Sequence, residues 1–86
     1  MERLLDVSEL EPCEPLELSL AAAEDLGPGE YLRVLHRREP FPLYRILDDR
    51  GFAHRTVPGE RTAFEIFVWR RTDPEARRAV DHALDR

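Results

Sequence analysis

A chain of 86 residues with one cysteine makes a single small domain and excludes an intramolecular disulfide, which suits a reducing compartment. A net charge of −5 leaves no surplus of cations to neutralise phosphates, so nucleic acid is not expected as a partner. No stretch approaches the roughly 18 apolar residues of a membrane span, and Met1–Asp6 lacks the basic start and apolar run of a signal peptide. The expected location is therefore the cytoplasm, with no membrane partner.

Leu4–Val7 is a short apolar run and reads as a first strand. Pro15 opens a helical segment in which Leu16, Leu20 and Ala23 form one stripe. Leu26-Gly27-Pro28-Gly29 stops it, with Gly27 expected in the left-handed cap. Glu30–His36 follows as a strand, with Leu32, Val34 and His36 on one face and Tyr31, Arg33 and Leu35 on the other. Arg37–Pro42 is a loop stiffened by two prolines. Leu43, Ile46 and Leu47 make the stripe of a second helix, which Gly51 terminates, with Phe52 packing behind it. Phe52–Val57 is a third strand. Pro58-Gly59 is a turn in which Gly59 is expected to take a positive φ. In the fourth strand, Ala63–Arg70, Phe64, Ile66 and Val68 oppose Glu65, Phe67 and Trp69. Thr72-Asp73-Pro74-Glu75 reads as a capping box, and Ala76, Val80, Ala83 and Leu84 continue at helical spacing.

This order predicts an α/β (α+β) two-layer sandwich, β-α-β-α-β-β, with a mixed four-stranded sheet, two helices on one face and a C-terminal helix added. Residues 1–71 form the sandwich and 72–86 a helical extension of the same domain. A helix between the first two strands implies a parallel crossover. Tyr31, Leu35, Phe67 and Trp69 are left on the other face and need a cover. The C-terminal helix supplies one through Ala76, Val80 and Leu84, and a second copy of the chain is the alternative. The expected state is a monomer or weak homodimer.

All thirteen basic residues are arginine, and lysine, asparagine and glutamine are absent. Arg37-Arg38 and Arg70-Arg71 therefore read first as solvated surface. Catalysis has thin support. Ser8 and Ser19 are the only serines and neither sits in a Ser-His-acid pattern, and no Gly-rich phosphate loop is present. The balance falls against an enzyme, with a sulfurtransferase-like role left open, and no cofactor is expected apart from the metal or haem considered below. The chemistry concentrates at Glu11-Pro12-Cys13-Glu14-Pro15, where a thiol precedes a helix. A helix N-terminus stabilises a thiolate, whereas Glu11, Glu14 and Glu17 oppose it. His36 ends the second strand. With the first two strands parallel, His36 and the Cys13 loop share the sheet edge where open α/β sheets place ligands. Pro12, Glu14, His36, Arg38 and Glu39 are the candidate ligand-binding residues. His36 and Cys13, joined by Glu39 and His54, would make a mixed metal set, and His36 alone a haem ligand. The simpler reading of His36-x-x-Glu39-Pro40 is a pair that fixes the turn into the second helix.

Leu5-Asp6-Val7, Leu10 and Pro12-Cys13-Glu14-Pro15 resemble the opening of the TusA/SirA family, and Gly29-Glu30 before the second strand matches it too. The resemblance implies a β-α-β-α-β-β sandwich and a cysteine, in a Cys-Pro-x-Pro motif, that carries a persulfide sulfur between partners. Here Glu14 and Pro15 fall on the last two motif positions, which puts Pro12 in the carrier cysteine's place and Cys13 in that of the first proline. Ser8-Glu9 stands where that family has Arg-Gly. The chain is more similar still to an uncharacterised domain family of the same fold, through the Glu-Pro segment and through His36-x-x-Glu39-Pro40-x-Pro42-Leu43 followed by Gly51-Phe52. This likeness covers roughly residues 4–70. The leading functional expectation is a non-catalytic binding module for a protein partner or small ligand, sited at the Pro12–Pro15 and His36–Pro42 loops. A persulfide carrier acting through Cys13 comes second, and a metal or haem domain using His36 third.

Overall fold

The structure, a computed structural model, describes residues 1–10 and 14–85. Its elements are β1 (Glu2–Asp6), α1 (Glu14–Glu24), β2 (Tyr31–His36), α2 (Phe41–Asp49), β3 (Phe52–Pro58), β4 (Phe64–Arg70) and α3 (Pro74–Leu84). The four strands form one sheet in the order β1-β2-β4-β3. β1 pairs with β2 in parallel, and β4 runs antiparallel to both β2 and β3. β1, β2 and β3 therefore point the same way, and their C-terminal ends share one edge of the sheet. At that edge Phe64 pairs with His36 on one side and with Pro58 on the other.

Strand alternation divides the side chains between two layers. Leu32, Val34, Ile66, Val68 and Phe52 pack with Ala23, Leu26, Leu43 and Leu47 in the core beneath α1 and α2. Tyr31 and Phe67 face the other way and pack on Val80 of α3, with Trp69, Ala83 and Leu84 around them. The C-terminal helix is thus the cover of the second face. Val80 is fully buried and Ala76 lies beside it on the buried stripe of α3. Burial of apolar side chains of this size contributes roughly 1.5–3 kcal/mol each, so even this smaller cluster matters in a domain of 86 residues. Glu65 is also buried on this face, where the Arg33 guanidinium donates to it from Nε at 2.8 Å. Opposite charge and a directional hydrogen bond offset the cost of removing that carboxylate from water.

Several local details differ from the sequence expectation. β1 begins two residues earlier than the apolar run, because Glu2 and Arg3 pair with Tyr31 and Leu32. α1 ends at Glu24, so Gly27 lies beyond the cap position, and its N–H donates to Glu30 Oε1 at 2.7 Å. The left-handed residue is instead Gly29, at φ 75°. Gly51 does adopt the positive φ expected of it, 85°. Gly59 has no positive φ. A Cβ there would collide with the Thr62 carbonyl oxygen, so close approach and not handedness calls for glycine. On α2, Leu43 and Leu47 are buried, whereas Ile46 stays at the margin.

The cap of α3 is Asp73 and not Thr72. Pro74 occupies the first helical turn, which places the Asp73 carboxylate within 3.0 Å of the Ala76 N–H. The same carboxylate accepts the Gly29 N–H at 2.8 Å, tying α3 to the loop that enters β2. The bonds from Gly29 and Ala76 hold its pKa below the ordinary carboxylate range. The folded group binds its proton more weakly than the unfolded one. Its stabilisation is therefore present above the unfolded pKa and lost as pH falls through that value toward the lower folded one. Asp73→Ala is expected to lower the unfolding midpoint at neutral pH and to lower it much less in acid. Thermal melts across pH check this, and a shift that does not depend on pH would contradict it.

A chain truncated after Arg71 loses the cover over Tyr31 and Phe67. It is expected to self-associate more strongly than the full chain. Sedimentation of the two chains, with circular dichroism to confirm that the sandwich persists, decides the point.

Candidate functional site

The edge holding the C-terminal ends of β1 and β2 also receives the first turns of α1 and α2. This follows from topology, because each helix leaves the strand before it at that end. Between those turns lies a hollow of about 450 Å³, lined by Leu16, Leu43, Pro15, Pro40 and Pro42 together with His36, Arg38, Glu17 and Glu39. Its volume falls in the range of small-molecule sites, roughly 300–1,000 Å³. A smaller hollow of about 90 Å³ adjoins it, sharing Pro15, His36 and Arg38 and adding Val7, Leu10 and Arg37.

His36 stands between the two spaces. Its Nδ1 accepts the Arg38 N–H at 3.1 Å, which closes the bend after β2. That bond requires Nδ1 to be unprotonated, so the neutral ring carries its proton on Nε2. Burial pushes the His36 pKa below the ordinary histidine value, and the charge of Arg37 lowers it further. Among the described residues no group bonds Nε2. Arg38 is exposed and forms no ion pair among the described residues.

Glu39 serves a different purpose. Its Oε2 accepts the Tyr44 hydroxyl at 3.1 Å, and that hydroxyl also makes a short hydrogen bond with Thr56 Oγ1. Burial raises the Tyr44 pKa, which keeps the hydroxyl protonated as a donor. The Tyr44 ring stacks on the His54 ring, with centroids 4.6 Å apart and planes 5° from parallel. His54 Nε2 lies 3.1 Å from Asp48 Oδ1. Tyr44 thus ties the loop before α2 to β3 through Glu39 and Thr56. Strand alternation and helical spacing pass over Tyr44, because it lies beside the Leu43/Leu47 stripe and not on it. Only the folded chain brings Thr56 and His54 to it.

His54 does not join His36. It pairs at the level of Val68, four residues from the edge where His36 pairs with Phe64, and two strands away. At about 3.3 Å per residue and 4.8 Å per strand, their Cα atoms are about 16 Å apart. Among the described residues no three His, Cys, Asp or Glu side chains cluster to hold a metal ion. Pro12 and Cys13 lie outside the described residues. Glu14 is the first residue of α1.

The family described as uncharacterized conserved protein (DUF2249) matches residues 4–70. The chain belongs to that family. The DUF2249 portion takes in both core helices and the sheet from Leu4 to Arg70, including both segments of the candidate edge, and leaves α3 outside. No curated protein and no solved structure matches the chain. Among the described residues no helix is long and apolar enough to cross a membrane.

Tyr44→Phe removes the hydroxyl that Glu39 and Thr56 share. The expected cost is about 1 kcal/mol of stability, together with faster amide exchange in the 37–41 loop. Hydrogen exchange measured by NMR, with exchange in β4 as an internal reference, tests this. An unchanged loop would mean that the tie carries nothing.

Proposed function

We propose that this DUF2249 protein is a non-catalytic binding module, related to the TusA/SirA fold, that works at the edge formed by the Pro12–Pro15 and His36–Pro42 segments. The observation that carries the reading is the hollow of about 450 Å³ between the first turns of α1 and α2. It combines apolar lining from Leu16, Leu43 and three prolines with a few polar and charged groups, the composition of a site that holds and orients a ligand. The topology supports it as well, since the site occupies the strand-end edge where open α/β sheets receive ligands. A cytoplasmic protein, monomeric or weakly dimeric, accords with the composition.

A second reading, a persulfide carrier acting through Cys13, draws support from one feature. α1 begins at Glu14, the residue after the cysteine, and a helix N-terminus favours a thiolate nearby. Two measurements separate the readings. Screening a library of small fragments by methyl NMR is expected to produce shifts clustered at Leu16 and Leu43, and shifts scattered over both faces of the sheet would sink the binding-module reading. Mass spectrometry after incubation with a persulfide donor is expected to show no added sulfur. A stable gain of one sulfur atom on Cys13 would establish the carrier instead.

A further inference from the structure

We propose that the hollow between α1 and α2 selects small apolar carboxylates, with Arg38 pairing the carboxylate and Leu16, Leu43, Pro15 and Pro40 enclosing the apolar body. This assignment rests on the edge being a binding site and names the chemistry that it takes. The charged groups around the hollow are unequal in what they have left to offer. Glu39 already accepts the Tyr44 hydroxyl, and Glu17 is exposed to solvent, which screens its charge. Arg38 has no ion-pair partner among the described residues. The other nitrogen of the His36 ring is committed to the Arg38 N–H, so Nε2–H is a donor and not an acceptor.

Among the described residues, a guanidinium without an ion-pair partner and a free imidazole N–H beside one apolar space both favour an acceptor with negative charge. A carboxylate meets a guanidinium through two oxygens, an arrangement that a neutral amide of the same shape cannot match. The volume leaves room for a ring or a short chain behind the carboxylate.

The test uses benzoate and benzamide as probes of equal shape, titrated into the full chain while the Leu16 and Leu43 methyl signals are followed. Benzoate is expected to shift both methyls saturably, and benzamide to bind about ten-fold more weakly. In Arg38→Ala, benzoate affinity should fall to that of benzamide. In Arg37→Ala it should hold, because Arg37 lines only the adjoining smaller hollow. Native methyl spectra of both variants show that the fold is kept. Equal affinities for the two probes, or an unchanged benzoate affinity in Arg38→Ala, would overturn the carboxylate assignment while leaving the edge a binding surface. If neither probe shifts the two methyls while other fragments do, the ligand class alone is wrong. If no fragment does, the binding-module reading falls with it.

Discussion

The parallel pairing of β1 with β2 is the constraint on which the rest of the molecule depends. Parallel neighbours cannot be joined by a tight turn, so the chain must cross back over the sheet, and α1 makes that crossing. The insertion of β4 between β2 and β3 imposes a second crossing, made by α2. Both helices then lie over the core of Leu32, Val34, Ile66 and Val68, and both begin at the same edge of the sheet. The hollow at His36 is a consequence of that arrangement. Two helix starts and two strand ends meet there.

The two faces of the sheet are held by different means. The α1/α2 face is an apolar core supplemented at one side by the Tyr44 hub, where Glu39, Thr56 and His54 converge. The α3 face is a smaller cluster around Val80, anchored at one end by Asp73 and crossed by the Arg33–Glu65 pair. α3 lies outside the family match, so its cover of Tyr31 and Phe67 is an addition to the matched domain.

Hydrophobic periodicity made the elements legible. Alternation in β2 and β4 fixes which residues face α1 and α2 and which face α3, and the 3.6-residue spacing of Ala76, Val80 and Leu84 identifies the helix that covers the second face. These signals are local and survive any tertiary context. The cap of α3 was half legible. Thr72 and Asp73 are both good capping residues, and only the placement of Pro74 in the first turn decides for Asp73. The left-handed glycine was misplaced because α1 stops at Glu24, before the Gly-Pro-Gly signal and not at it.

The site divides in the same way. Sequence alone indicated the parallel crossover from β1 to β2, which puts the end of β2 at His36 and the start of α1 on one edge of the sheet. It also determined that the second face needs a cover. Tertiary structure decided what those residues do. Glu39 turned inward to Tyr44, His54 was carried about 16 Å from His36 by strand register, and Arg38 was left without an ion-pair partner among the described residues beside an apolar hollow. The physical reason is range. Periodicity records which face a residue occupies, whereas hydrogen-bond partners come from segments distant in the chain, whose relative placement exists only once the sheet has formed.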